Sequence, residues 1–209
     1  MRYLPSRYWA SILTTALHVK YPDFDALKKL LVSYYYQTWI AGGTITRIKP
    51  TSINIIKNVK SNKSVETIQE LILHNIDSYN TFNQYFYNLW DSSSVYPSKW
   101  VRPVLALANY FMADEEKPHF IVMDAETQVE HILPQNPKKG SQWNADFNKE
   151  KREEWMNRIA NLTLSKHKKN AKALNGDFDE KRKIYGGKDT SKAISCYDIT
   201  KKLYSDYRK

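Results

Sequence analysis

The sequence predicts an α+β protein in which a mainly helical bundle is followed by a small module of two strands and a helix. Apolar residues recur at helical spacing over the first part of the chain. Short runs rich in β-branched residues begin near Pro118. Most of the excess positive charge follows these runs. We therefore divide the chain into a helical bundle at 1–118, a mixed module at 119–190 and a basic helical tail at 191–209.

Successive core helices are predicted for the first 118 residues. In the second of them, Leu27 and Leu31 belong to a wide apolar stripe, so this helix should be buried on one side. Gly42 follows that helix and ends it. Ser64 is placed to cap a later helix, because its hydroxyl can accept a free N–H of the first turn. The predicted helices span about 7–19, 24–41, 51–60, 65–76, 79–90 and 103–111.

The single cysteine, Cys196, excludes an internal disulfide and a zinc site built from paired cysteines. No apolar run approaches the roughly 18 residues that a membrane span requires. The chain begins Met-Arg-Tyr-Leu-Pro without an apolar leader. We therefore expect a soluble, cytoplasmic protein that does not contact a membrane.

The positive charge is concentrated at one end of the sequence. Residues 1–137 carry 13 Lys and Arg against 12 Asp and Glu, whereas residues 138–209 carry 19 against 10. Solubility alone would not require this segregation. A basic surface attracts polyanions, so the second segment is expected to bind nucleic acid.

One group of polar residues in the mixed module differs from its surroundings. Glu130 and His131 are adjacent in a β-type run that Pro134 stops. A second β-type run begins with Asn161, and the lysine-rich helix after it carries Asn170. Adjacent strand residues point to opposite faces, so Glu130 and His131 share one site only if the strand bends or ends there. The predicted strands span 120–123, 127–132 and 161–164, and the predicted helices span 148–159, 165–174, 178–185 and 198–207.

These segments resemble the nuclease domain of GmrSD-type restriction proteins, a branch of the HNH, or His-Me finger, endonucleases. The first segment is also similar to the Val-Asp-His-Ile-x-Pro-Gln run in the HNH domain of CRISPR effector nucleases. The resemblance implies a mainly helical bundle followed by a small ββα-metal nuclease module. The matching segments are 129–135, 158–164, Asn170 and 178–185, with 34–42 and 49–52 upstream.

The resemblance implies a metal-dependent DNA endonuclease that nicks or cuts DNA in restriction or anti-phage defence. His131 would be the general base that activates water, since imidazole titrates near the working pH, and Asn161 would orient its ring. Glu130 and Asn170 would hold one divalent ion, Mg²⁺ or Mn²⁺, because both offer hard oxygen ligands. The residues expected to contact DNA are Arg158, Lys166, His167, Lys168, Lys169 and Lys172.

Several alternatives stay open at the level of sequence. The chain could be a DNA-binding subunit whose finger is inactive, or a subunit that docks an NTPase. Related proteins carry a ParB-like NTPase and sensor domain, which would act here in cis in a longer chain or in trans. His167 could replace Asn170 as a metal ligand, since the two lie on adjacent turns of the predicted helix. The basic run 181–183 is a second group that could contact DNA, and Ala160 stands where the family generally has glycine.

Overall fold

The computed structural model describes residues 1–113, 116–167, 171, 173–185 and 197–206. These residues are mostly helical and contain one two-stranded antiparallel sheet, which confirms the α+β class. Four residues of the helix predicted to complete a strand–strand–helix module, 168–170 and 172, lie outside the described residues. The chain separates into two compact units, Met1–Leu89 and Trp90–Lys209, while the predicted division into three parts stays a prediction.

The first unit is a bundle of five α-helices. Helix α2 packs against α1, α4 and α5, and α3 packs against α1 and α4. Ser64 accepts a hydrogen bond from the Thr67 N–H, which confirms the predicted cap of α4. Leu27, Leu31 and Tyr35 are buried, as the apolar stripe predicts. The helices are α1 (Tyr8–His18), α2 (Phe24–Ile40), α3 (Ile45–Lys60), α4 (Val65–Ser78) and α5 (Thr81–Phe86), and a π-helical turn follows at Tyr87–Asp91.

The start of α3 differs from the prediction. The helix begins at Ile45, six residues before the predicted start, and includes Pro50. Proline lacks an N–H and therefore removes one bond of the helical ladder. Packing on both sides of Pro50 offsets this loss: Ile48 and Ile55 are buried, and the Ser52 hydroxyl donates to the Ile48 carbonyl at 2.8 Å. Tertiary contacts therefore determine where this helix begins.

The second unit contains the sheet and the helices that cover it. Helix α6 (Val101–Met112) contacts both strands, β1 (Thr127–His131) and β2 (Leu162–Lys166). Helix α9 (Phe178–Tyr185) has the predicted bounds, and α10 (Asp198–Asp206) packs against α6, α9 and β2. The other elements among the described residues of this unit are α7 (Gln142–Asp146), α8 (Lys149–Trp155) and a 3₁₀ turn at Ile159–Asn161. No helix among the described residues is long and apolar enough to cross a membrane.

Three predicted elements of this unit are wrong in detail. Residues 120–123 form no strand, because the described sheet pairs only β1 with β2 and adds no third strand for this run to pair with. Helix α8 ends at Trp155, not at residue 159. Strand β2 continues to Lys166, where a helix was predicted to start at residue 165. Ala160 lies in the 3₁₀ turn with negative φ, so glycine is not required there.

The buried hydroxyl pair between α2 and α3 gives a test of the bundle. Tyr35 and Ser52 hydroxyl oxygens lie 2.6 Å apart in the core. Tyr35→Phe should lower the free energy of unfolding by about 1 kcal/mol, because Ser52 loses a buried partner. Tyr87→Phe, at a position 60% exposed, is the control and should change stability little. Equal urea midpoints for the two variants would show that this hydrogen bond does not stabilise the bundle.

Candidate active site

The candidate active site forms where the two-stranded sheet ends. In the antiparallel register, Val129 pairs with Leu164 and His131 pairs with Leu162. Just beyond the last pair, the Ile132 N–H donates to the Asn161 carbonyl at 2.9 Å. Leu164 is fully buried and holds β2 in the core. His131 is thus the last residue of β1, with Asn161 beside it on the neighbouring segment.

Glu130 and His131 make separate sets of side-chain contacts. The Glu130 carboxylate meets Lys181 of α9. The His131 imidazole meets Tyr96 and Asn157. This separation follows from strand geometry, because adjacent residues of a strand point to opposite faces. The strand ends after His131, but the side chains of Glu130 and His131 still point to opposite faces of the strand.

The His131 ring is nearly buried and has two neighbours. Its Nε2 lies 3.2 Å from the Asn157 side-chain oxygen. The Tyr96 ring lies 4.3 Å away, centroid to centroid, and is tilted by 51°. The Asn157 carbonyl in turn accepts the N–H groups of Val95 and Tyr96 at 2.9 and 3.1 Å. One short network therefore fixes both groups that orient the imidazole.

The environment of His131 favours the neutral imidazole. Burial lowers its pKa from the usual value, the Asn157 hydrogen bond raises it, and the charge of Lys181 lowers it. An amide oxygen only accepts, so Nε2 carries the proton in this arrangement. Nδ1 is then the basic nitrogen, and no described residue forms a hydrogen bond with it. A neutral imidazole with a free basic nitrogen can accept a proton from water.

Asn161 binds backbone, and the imidazole is bound by Asn157 instead. The Asn161 side-chain oxygen accepts the Leu133 N–H at 2.7 Å. Its amide nitrogen donates to the carbonyls of Leu133 and Met156 at 3.0 and 2.8 Å. Asn161 therefore connects the segment after His131 to the turn after α8. The predicted orienting contact on the ring is made by a residue that sequence reasoning did not select.

Glu130 is bound by a buried lysine. The Lys181 amine is fully buried and donates to Glu130 Oε1 at 2.7 Å and to the His131 carbonyl. Burial raises the pKa of Glu130, whereas the charge and hydrogen bond of Lys181 lower it. Burial also lowers the pKa of Lys181, and Glu130 opposes this shift. The short contact and the second bond to a carbonyl describe an ion pair. Lys181 is therefore not a surface residue available to DNA. The basic run 181–183 had indicated the opposite.

The predicted DNA-contacting residues are only partly described. Arg158 lies over the Trp155 ring at 4.8 Å and pairs with Glu154 at 3.4 Å. Lys166 ends β2, and exposed His167 has its Nδ1 2.9 Å from the amide nitrogen of Gln128. Lys168, Lys169, Asn170 and Lys172 lie outside the described residues.

The described residues do not fit a divalent metal site. No cluster of three or more His, Cys, Asp or Glu side chains occurs in the part of the chain that the structure describes. Glu130, the predicted ligand within it, is buried and already bound to Lys181. Asp124 is engaged by the backbone N–H groups of Glu126 and Thr127 at 3.0 and 3.1 Å, so it closes the turn before β1.

Three functional candidates were missed by sequence reasoning. Tyr96 and Asn157 reach His131 from segments that carry no recognisable pattern. Lys181 stands in the basic run 181–183, which sequence reasoning considered for contact with DNA and not for this site. Its position in α9 gave a signal: it is three residues after Phe178 and four before Tyr185, which is one face of a helix.

This site defines a class: a protein with a nearly buried, oriented imidazole at the end of a two-stranded antiparallel sheet, beside a strongly basic segment. The family model for GmrSD restriction endonucleases, C-terminal domain, matches residues 62–209. The chain belongs to this family, and the resemblance to GmrSD-type restriction proteins is confirmed. No curated protein and no solved structure gives a significant match.

Asn161→Ala tests the backbone role of this amide. The change leaves the Leu133 N–H and two carbonyl groups without their partner, so the free energy of unfolding should fall by about 2–4 kcal/mol. Asn157→Ala is the matched control, because it removes one half-buried ring contact and should cost less than about 1 kcal/mol. Urea denaturation measures both. Similar losses in the two variants would contradict the structural role of Asn161.

Proposed function

We propose that this chain is an endonuclease that cleaves phosphodiester bonds of DNA, with His131 as the general base. The observation that carries the proposal is the buried imidazole at the end of β1, oriented by Asn157 and Tyr96 and with a pKa lowered by burial, in a member of a restriction endonuclease family. Hydrolysis of a phosphodiester requires a group that takes a proton from the attacking water. Imidazole does this near neutral pH when it is unprotonated.

The roles of the neighbouring residues follow from their contacts. His131 Nδ1 would accept the proton of a water that attacks the phosphorus. Asn157 would keep the Nε2 proton in place and so preserve the productive tautomer, at its 3.2 Å contact. Asn161 would hold the backbone from which the imidazole projects, through its bonds to Leu133 and Met156. Correct orientation of a base contributes strongly to rate, since small misplacements reduce productive encounters.

A requirement for Mg²⁺ or Mn²⁺ is the second part of the proposal and rests on the resemblance alone. A divalent ion would neutralise charge on the phosphate. Asn170, one of its two expected ligands, lies outside the described residues. Glu130, the other, is bound to Lys181. The described residues therefore do not fit the ion, and none of the steps above depends on it.

Binding of DNA is supported by charge. The segment 138–209 has nine more basic than acidic residues, 19 against 10. Lys166 and His167 lie at the end of β2, opposite Thr127 and Glu126 at the start of β1. We propose that these residues and the lysines that follow contact the phosphate backbone, which gives affinity without sequence selection.

The proposed setting is a cytoplasmic defence system that restricts invading DNA. A ParB-like NTPase and sensor domain, in cis or in trans, would select the DNA to be cut. Two other outcomes of the experiments below would redefine the protein. Salt-sensitive DNA binding without cleavage would identify an inactive binding subunit. Co-purification with an NTPase, without binding or cleavage of DNA, would identify a docking subunit.

Replacing the base tests the proposed activity. His131→Ala should reduce nicking of supercoiled plasmid by about 10²–10⁴-fold, the usual contribution of a general base. Plasmid affinity and the circular dichroism spectrum should stay close to those of the wild type. His18→Ala, an exposed histidine at the end of α1, is the matched control and should cleave normally.

The plasmid assay is run with Mg²⁺, Mn²⁺ and EDTA. Loss of cleavage in EDTA would support the metal requirement, and cleavage in EDTA would contradict it. If His131→Ala nicks plasmid as fast as His18→Ala under the best metal condition, His131 is not the base.

The pH dependence of cleavage follows from the lowered pKa of His131. A general base works when unprotonated, so activity should be full above that pKa and fall as pH decreases through it. Because burial lowers the pKa below 6.5, the acidic limb of kcat/KM should lie below pH 6.5. Asn157→Ala should reduce the rate and move this limb to still lower pH, because the Asn157 hydrogen bond raises the pKa. An acidic limb above pH 7 in the wild type would contradict this assignment.

A further inference from the structure

The buried amine of Lys181 has no role in the chemistry proposed above. It donates to Glu130 Oε1 at 2.7 Å and also to the His131 carbonyl. The Lys181 side chain is 0% exposed and that of Glu130 is 8% exposed. An ammonium group removed from water is stable only when its N–H groups have partners. One lysine therefore holds the side chain of Glu130 and the backbone of the next residue together.

Lys181 projects from a helix that is anchored at both ends. At its start, the Asp177 N–H donates to Glu180 Oε2 at 3.1 Å, which caps α9. The Trp143 indole N–H donates to the Gly176 carbonyl at 3.0 Å. At its end, Tyr185 is buried. The backbone that carries Lys181 is thus fixed relative to the end of β1.

A divalent ion on Glu130 would have to displace this lysine. Removing one partner of a buried ion pair leaves an uncompensated charge, which is strongly unfavourable. Mg²⁺ also keeps several water ligands when it binds to proteins. The Glu130 carboxylate, 8% exposed, leaves little space for a hydrated ion. In this structure the cation that Glu130 binds is the lysine.

We propose that Lys181 is a positioning residue of the active site and that Glu130 is its partner, not a metal ligand. The pair fixes the last residues of β1, and strand alternation then directs the His131 imidazole to Asn157 and Tyr96. This inference rests on the proposed function, because the position of the imidazole affects cleavage only if His131 acts on the substrate.

The test removes both charges and keeps the side-chain volumes. Lys181→Met alone would leave the Glu130 carboxylate buried without its countercharge, and its misfolding would be uninformative. The double variant E130Q/K181M should fold. In the plasmid cleavage assay its KM should stay within about twofold of wild type, and its kcat should fall by about 10- to 100-fold. The matched control is E153Q/K149M, an exposed Glu–Lys pair at 3.8 Å on α8, which should keep the wild-type kcat.

A second measurement addresses the metal directly. Mn²⁺ is titrated into the protein without DNA and followed by electron paramagnetic resonance. The wild type and E130Q/K181M should bind Mn²⁺ with the same affinity. Loss of Mn²⁺ binding in the double variant would make Glu130 a metal ligand and overturn the proposal.

The cleavage results separate the remaining possibilities. A folded double variant with wild-type kcat would show that the pair only stabilises the fold, and this result also overturns the proposal. His131→Ala is assayed beside it. If His131→Ala is inactive and the double variant is fully active, the positioning role fails and the proposed function stands. If His131→Ala cleaves like the wild type, the proposed function fails, and the Mn²⁺ titration still decides the role of Glu130.

Discussion

The geometry of the candidate site depends on one constraint: the backbone at the end of β1 is held by polar side chains from two other elements. Lys181 of α9 binds the His131 carbonyl, and Asn161 binds both backbone groups of Leu133. Between these two attachments the chain has little freedom, so the direction of the His131 side chain is determined. The strand ends here, but the backbone of its last residue, His131, is still held by a hydrogen bond from Lys181. The site therefore has a fixed imidazole at the end of the two-stranded sheet.

The electrostatics of the site follow from burial. Glu130 and Lys181 neutralise each other on one face of β1, so no net charge is buried there. His131, on the other face, has a lowered pKa and an amide partner in place of a carboxylate. This environment favours the neutral imidazole, whereas a carboxylate beside the ring would favour the protonated form. The residues proposed to contact DNA are a different set from those that contact the His131 ring.

The predictability of the structure varied with the range of the interactions that determine it. The cap of α4 at Ser64 and the bounds of α9 were predicted, because local residues specify them. The start of α3 upstream of Pro50 was missed, since packing against α1 and α4 outweighs the local effect of proline. The run 120–123 has strand-like composition but no neighbouring strand among the described residues. Composition alone does not indicate whether a strand has a partner.

The site shows the same limit. The structure brings Glu130, His131 and Asn161 to one end of the sheet, while their catalytic and metal-binding roles stay predictions. Their contacts were not predictable, because Tyr96 and Asn157 come from distant segments without a pattern and Lys181 stands in a basic run. A lysine among charged residues is expected to be exposed, and only the fold shows that Lys181 points inward.

The most direct test of the central claim is the protonation state of the His131 ring in the free protein. Long-range ¹H–¹⁵N spectra distinguish the two neutral tautomers and the imidazolium ion, and His131→Ala identifies the signal. We predict a neutral His131 ring at pH 7 with the proton on Nε2 and a titration midpoint below 6.5. A charged ring at pH 7, or a neutral ring with its proton on Nδ1, would contradict it.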